Sequence, residues 1–213
     1  MLTKLNVTRP FAGLMVAVSL VAVPIVAQAH FKLLEPASWI VEDQRLGDPQ
    51  KAAPCGGTNT DAGTPSNAVN KATGGEKVHI KVTETIYHPG HYRIALSTNG
   101  HEGLPADEDV VTKEGPRGPL SVSATIMSPV KAPILVDGLW PHSERPATPS
   151  TYETDVQLPN ITCPKCTLQI TEFMAEHGYN NPGGYIYHHC AEYQITADPA
   201  KPIDRSWPAA RAN

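Results

Sequence analysis

Apolar and polar residues alternate one for one along several short segments of this chain, and this period of two is the strongest constraint on its fold. The segments VHIKVTETI (78–86) and HYRIALS (91–97) show the alternation most clearly. Because successive side chains of a β-strand point to opposite faces, each segment reads as a strand with one buried and one polar face. His79 falls on the polar face of the first segment, so it is predicted to face solvent.

Five more segments have the composition and length of strands, and turn-forming residues separate them. They cover residues 120–126, 133–139, 151–159, 166–175 and 185–196. Clusters of Pro, Gly, Asn and Asp lie between them, and the 21 prolines of the chain disfavour long helices. This pattern predicts an all-β protein, built as an antiparallel β-sandwich with long loops.

The first 29 residues have the three parts of a secretory signal peptide. Two basic residues come first, an apolar run follows at 11–26, and the small-x-small triplet Ala-Gln-Ala occupies 27–29. The apolar run is shorter than the roughly 20 residues of a membrane span, so we expect cleavage rather than anchoring. The mature protein is then predicted to begin at His30 and to be secreted or periplasmic, with no membrane partner.

The mature chain has the length and charge of a single acidic domain. Cleavage after residue 29 leaves 184 residues, with 15 basic residues against 21 acidic ones, a net charge of −6. That balance argues against nucleic acid as a partner. We expect one β-sandwich domain at 30–198, a monomer, followed at 199–213 by a Pro/Ala-rich tail whose composition is typical of disorder.

All four cysteines lie in the mature part, at Cys55, Cys163, Cys166 and Cys190. An even number of cysteines in an exported chain predicts two structural disulfides, for which three pairings are possible. The Cys-Pro-Lys-Cys motif resembles a redox or zinc motif, but it opens a strand-like segment rather than a helix. No second such motif is present to complete a zinc ribbon.

His30 is the residue that carries the clearest chemistry. As an N-terminal residue it would offer a free α-amine together with Nδ1 of its imidazole, and these two nitrogens can chelate one metal ion. Nitrogen ligands favour Cu(II), which accepts a planar arrangement. One more imidazole would complete a T-shaped site with three nitrogen ligands for one copper ion.

His88 is the preferred second ligand, and His91 is its competitor. His88 ends the strand that begins near residue 78, and Pro89 and Gly90 interrupt the ladder after it. Tyr187 is a candidate for the axial position of the copper. It alternates with Cys190 along its strand, so the two side chains are predicted to face opposite ways, with Tyr187 towards an open face or an end site.

Four short motifs together resemble those of lytic polysaccharide monooxygenases, and in particular the bacterial polysaccharide monooxygenase-like group. They are AHFxxxxPxS around His30, HPGHYRIAL at 88–96, CxxCTLQ at 163–169 and YxxCAE at 187–192. The resemblance implies that His30 and His88 hold the copper in a histidine brace and that Tyr187 is the axial residue. It also implies an immunoglobulin-like or fibronectin-like sandwich, a Cys55–Cys190 bridge and a Cys163–Cys166 bridge.

The activity implied by this resemblance is the oxidative cleavage of glycosidic bonds in a polysaccharide, with an external electron donor. The chain departs from the family pattern at Phe31, where glycine is common, and it adds imidazoles at His91, His188 and His189. His91 and His189 are therefore candidates for second-sphere groups or alternative ligands.

Extra nitrogen ligands also fit a second hypothesis, a non-catalytic protein of the same fold that delivers copper to a copper-handling partner. A carbohydrate-binding sandwich without a metal is a third hypothesis. The sequence leaves open which of these functions applies and whether the protein is an enzyme.

Overall fold

The structure is a computed structural model that describes residues 30–208. These residues form ten β-strands: β1 (His30–Glu35), β2 (Val69–Thr73), β3 (Lys77–Ile86), β4 (Gly90–Ser97), β5 (Val110–Lys113), β6 (Leu120–Ala124), β7 (Ile134–His142), β8 (Ser150–Gln157), β9 (Cys163–Met174) and β10 (Ile186–Thr196). The predicted signal peptide at 1–29 and the last five residues lie outside the described part.

Two sheets pack face to face and form the sandwich. One has the strand order β1-β3-β8 and the other has the order β2-β10-β9-β4-β7, while β5 and β6 form a separate hairpin. Every pair of strands is antiparallel except β2 and β10, which run parallel at one edge of the larger sheet. The all-β sandwich predicted from the sequence is therefore confirmed, with this one parallel pair as an exception to the antiparallel rule.

The alternating residues of β3 and β4 form the core between the sheets. The apolar positions of β3 at 78, 80 and 82 are buried, and His79 between them is exposed, as predicted. In β4, Tyr92, Ile94 and Leu96 are fully buried, but the polar residues that alternate with them are buried as well. The prediction of one polar face is therefore wrong for β4, which is covered on both sides. Burying one large apolar side chain contributes about 1.5–3 kcal/mol to folding, so these facing rows dominate the stability of the sandwich.

Three strands lie outside the seven predicted segments: β1 is partly buried, whereas β2 and β5 are short and largely exposed. β2 has the sequence VNKAT and β5 the sequence VVTK, and neither contains a fully buried residue. A strand at the edge of a sheet can be held by backbone hydrogen bonds alone, without a row of apolar side chains. The alternation of apolar and polar residues is therefore absent from these two strands.

A long connection covers the outer face of β10. The Trp39 amide donates to the Cys190 carbonyl (3.0 Å), and the His188 amide donates to the Gln50 carbonyl (2.8 Å). The structure pairs Cys55 with Cys190, which joins this connection to β10, and it pairs Cys163 with Cys166 at the start of β9. Both pairings are those that the family resemblance implies.

Residues 199–208 are more closely packed than their Pro/Ala-rich composition predicts. The Asn160 side-chain amide donates to the carbonyls of Asp198, Lys201 and Pro202, and the Trp207 indole donates to the Leu96 carbonyl. Trp207 also packs against the core. Nowhere between residues 30 and 208 is there a helix with the length and apolar character needed to cross a membrane.

Candidate metal centre

Three histidines and one tyrosine gather at one end of the sandwich, and we call this group the histidine centre. His30 begins β1, His88 lies between β3 and β4, His177 lies between β9 and β10, and Tyr187 belongs to β10. All four side chains are buried. The antiparallel arrangement brings them together, because β1 and β10 begin at the end of the sandwich where β3 and β9 finish.

The imidazole of His30 is held through one of its two nitrogens. Its Nε2 lies 2.8 Å from Asp48 Oδ1, and its backbone carbonyl accepts a hydrogen bond from the Thr85 hydroxyl (3.0 Å). The other ring nitrogen, Nδ1, is buried and has no hydrogen-bond partner among residues 30–208. Nδ1 is the atom that can close a chelate ring with the α-amine of the same residue, and it is left open to do so.

His88 is also buried with an open ring nitrogen, since its Nδ1 has no hydrogen-bond partner in the described part of the chain. His88 follows two residues after Ile86, which pairs with His30 between β3 and β1. Burial lowers the pKa of His88 from its usual 6.5 to about 3, and the neighbouring His177 and Arg145 side chains add to the effect. His88 is therefore neutral at pH 7, which is the state of a metal-binding imidazole.

His177 was not predicted from the sequence. Its ring lies 4.6 Å from the ring of His88, edge to face. Strand β6 holds it there, because the His177 amide donates to the Ser121 hydroxyl and its carbonyl accepts from the Ser121 amide (3.0 Å). The segment EHGYNNPGG, which contains His177, shows no alternation of apolar and polar residues. The position of His177 follows only from the connection between β9 and β10, which lies at this end of the sandwich.

Tyr187 faces away from Cys190, as the strand period predicts, but it does not face an open surface. Its side chain is fully buried and its ring meets the ring of His30 edge to face at 5.4 Å. Burial raises the pKa of Tyr187, so its hydroxyl keeps its proton at all physiological pH values. The tyrosine is a wall of the centre at the end of the sandwich, which is one of its two predicted positions. The other, an open face, is wrong because both faces of β10 are covered there.

The structure separates His91 from the histidine centre. His91 lies on the opposite face of β4, in a buried group with Glu108 and Asp137 whose ligand atoms all lie within 4.8 Å of one another. Arg93 already pairs with both carboxylates, at 3.1 Å and 2.6 Å. The negative charges of Glu108 and Asp137 are thus balanced by Arg93. His88, and not His91, is the histidine that lies beside His177.

His189 and His188 take different places on β10. His189 lies behind β1, with Nε2 3.0 Å from the Phe31 carbonyl oxygen and Nδ1 3.2 Å from Glu42 Oε1. It therefore adjoins the residue that follows His30. His188 points to the outer face and lies 2.7 Å from Asp107.

Phe31, which stands where glycine is common in the resembling family, fills the core at this point. Its ring contacts His189 at 4.6 Å and Tyr92 at 5.3 Å, in both cases edge to face. A glycine here would leave a cavity between these rings, so the phenylalanine is explained by packing.

Two buried glutamates adjoin the centre and were not predicted. Glu84 and Glu172 approach His142 so that their ligand atoms lie within 4.8 Å of one another. Burial raises the pKa of Glu172 well above its usual value, and the neighbouring Glu84 adds to the effect. Each glutamate occupies a position on β3 or β9 where the alternation predicts a buried apolar residue. A charged residue at such a position is the sequence signal that could have identified it.

A cavity of about 350 Å³ opens beside His177. It is lined by residues that include Arg117, Leu120, Glu176, Tyr179 and Asn180. Tyr179 is 69% exposed, more than any other large apolar residue between positions 30 and 208. The histidine centre therefore adjoins a concave surface that carries an aromatic ring.

The donor set of the centre suits copper. The imidazoles of His30 and His88 are buried, and each has one nitrogen without a hydrogen-bond partner. Cleavage before His30 would also give that residue a free α-amine. Nitrogen donors of this kind match the preference of Cu(II). The chain matches no protein-family model and no curated protein, so the geometry of the centre is the basis for any functional conclusion.

Proposed function

We propose that cleavage after residue 29 makes His30 the N-terminus and that the mature protein then binds one copper ion. His30 would contribute its amine and Nδ1, and His88 would contribute the third nitrogen. The observation that carries this proposal is the pair of buried imidazoles at one end of the sandwich, each with an unpartnered nitrogen. Asp48 supports it by engaging the nitrogen of His30 that a chelate does not use.

The activity that we propose is the oxidative cleavage of glycosidic bonds in a polysaccharide outside the cytoplasm, by a secreted or periplasmic monomer. Copper in such a site supplies one-electron redox chemistry with dioxygen or hydrogen peroxide, with electrons from an external donor. Tyr187 closes the side of the centre next to His30, and the neutral state of His88 leaves a nitrogen lone pair for binding. The exposed ring of Tyr179 offers a surface on which a sugar ring can stack.

A second candidate function is copper delivery without turnover, and His177 favours it. The ring centroids of His177 and His88 lie 4.6 Å apart, so His177 is the residue from which a fourth nitrogen ligand would come. A site filled by protein nitrogens would bind copper tightly but would leave no position for oxygen. In that case the partner would be a copper-handling protein rather than a polysaccharide.

A Cu(II) titration followed by electron paramagnetic resonance tests the copper site. We expect protein that begins at His30 to bind one Cu(II) with nitrogen hyperfine structure, and a version with one extra N-terminal residue to lose this signal. His88→Ala should weaken binding more than tenfold, whereas His91→Ala, which removes a buried histidine outside the histidine centre, should not. Indifference to the extra residue would overturn the brace.

The number of nitrogen ligands distinguishes the two functions. Three nitrogens in the wild-type spectrum, unchanged in His177→Ala, support the oxidative enzyme. Oxidised oligosaccharides detected by mass spectrometry after incubation with a polysaccharide and a reductant would then identify the substrate. A fourth nitrogen that disappears in His177→Ala supports copper delivery and contradicts turnover at this centre.

A further inference from the structure

The backbone of His88 is held on both sides by side chains rather than by strand pairing. Its amide donates a hydrogen bond to Glu84 Oε1 at 2.8 Å. Its carbonyl oxygen lies 2.7 Å from His142 Nε2 and accepts from it. Both polar groups of one turn residue are thus satisfied by the buried Glu84 and the largely buried His142.

These two side chains come from different sheets. Glu84 belongs to β3 in the smaller sheet, and His142 is the last residue of β7 at the edge of the larger one. Their own atoms are 3.4 Å apart, between His142 Nε2 and Glu84 Oε1. His88 therefore lies in a clamp that joins the two sheets at the end of the sandwich where the histidine centre lies.

The His142 ring is itself fixed in orientation. Its Nδ1 lies 2.7 Å from the Trp140 carbonyl oxygen, and its ring stacks on Tyr152 at 5.4 Å. Both ring nitrogens face carbonyl oxygens, which can only accept, so both carry hydrogens. His142 is consequently a double donor, and both of its ring nitrogens are engaged by backbone carbonyls.

We propose that Glu84 and His142 are positioning residues that aim the His88 imidazole at His30 by fixing the His88 backbone before any metal binds. The inference rests on the proposed role of His88 as a copper ligand. Groups outside the coordination sphere that orient a ligand are typically responsible for 10–100-fold of metal affinity. Preorganisation of this kind requires that the supporting groups are themselves held, as His142 is.

The decisive comparison is between Glu84→Ala and Glu84→Gln in protein that begins at His30. Glu84→Ala removes the acceptor of the His88 amide, so we expect Cu(II) affinity to fall about 10–100-fold, with altered copper hyperfine splitting. Glu84→Gln keeps an oxygen acceptor in the same place and should retain the wild-type affinity and spectrum. Asp137→Ala is the control, because it removes an equally buried carboxylate that contacts Arg93 and not His88.

A second variant covers the case in which Glu84→Ala does not fold. His142→Phe keeps a ring to stack on Tyr152 but cannot donate to the His88 carbonyl, and it should shift the copper spectrum in the same way. Wild-type affinity and spectrum in Glu84→Ala or in His142→Phe would overturn the proposal.

A measurement without metal separates this inference from the proposed function. In the metal-free protein, hydrogen exchange of the His88 amide should be at least about tenfold faster in Glu84→Ala than in Glu84→Gln, since that amide loses its acceptor. Equal exchange rates would overturn the clamp even if copper binds. If the wild-type protein bound no copper, the proposed function would fail, and the exchange rates would still decide whether the clamp exists.

Discussion

At the scale of single residues, Glu42 and His189 share a buried contact whose geometry assigns the hydrogens. His189 Nε2 faces the Phe31 carbonyl oxygen, so this nitrogen carries the hydrogen and Nδ1 is the acceptor that faces Glu42. Burial raises the pKa of Glu42 to about 8 and lowers the pKa of His189 to about 4. Both groups are therefore uncharged at neutral pH.

Glu42 makes the stability of the protein fall as the pH rises. Its carboxyl loses its proton near pH 4.5 in the unfolded chain but only near pH 8 in the folded chain, so folding binds a proton between these values. Glu42→Gln keeps the hydrogen-bonding shape without a charge. We expect it to raise the free energy of unfolding by more than about 1 kcal/mol at pH 9 and to have little effect at pH 4.

Urea unfolding at both pH values measures this difference. Glu114→Gln serves as the control, because Glu114 is an exposed glutamate. The assignment would be wrong if the two variants had the same pH dependence. His189 acts in the opposite direction, since its lowered pKa costs stability as the pH falls from about 6.5 to about 4.

At the scale of elements, the connection that covers β10 also carries Asp48, the residue that holds the His30 ring. Cys55 ties this connection to Cys190 across 135 residues, whereas Cys163 and Cys166 are only three residues apart. A cross-link restricts the unfolded chain more when it closes a longer loop. The first bridge therefore matters more for stability, and it also supports the histidine centre.

Removal of each bridge should show this difference. In the chain-entropy description the Cys55–Cys190 bridge contributes about 4–5 kcal/mol and the Cys163–Cys166 bridge about 2 kcal/mol. We expect the variant with Ala at 55 and 190 to have the lower Tm and the weaker Cu(II) affinity, because Asp48 loses its anchorage. The variant with Ala at 163 and 166 is its control, and equal losses of Tm in the two variants would contradict this account.

At the scale of the whole molecule, the two ends of the sandwich have separate roles. The histidine centre occupies the end where β4 begins, and residues 199–208 pack at the end where β4 finishes. Trp207 donates to the Leu96 carbonyl, six residues along β4 from Gly90, which places it about 20 Å from the start of that strand. Stability at the far end can therefore be changed without disturbing the centre.

Truncation after Asp198 tests this separation. It removes Trp207 from the core and removes the carbonyls of Lys201 and Pro202 that Asn160 binds, so we expect a loss of about 2–3 kcal/mol in the free energy of unfolding. The Cu(II) affinity should stay the same. A chain that ends at residue 208 is the control, and a fall in copper affinity after the longer truncation alone would show that the two ends are coupled.

The sequence by itself determined the fold class and part of the centre. Strict alternation in β3 and β4 indicates strands, because only a strand places every second side chain on the same face. The signal peptide pattern singled out His30, and the break in the ladder at Pro89 and Gly90 singled out His88. These signals are local, so they can be read without knowledge of which strands are neighbours.

Only the tertiary structure decided the surroundings of these residues. Three residues surround His88, and they come from different parts of the fold: Glu84 from β3, His142 from β7 and His177 from the connection between β9 and β10. The alternation within one segment does not predict which segments lie next to one another. The full burial of Tyr187 likewise depends on the chain that covers β10. Contacts between distant elements follow from strand order and packing, and for that reason they could not be predicted from the residues alone.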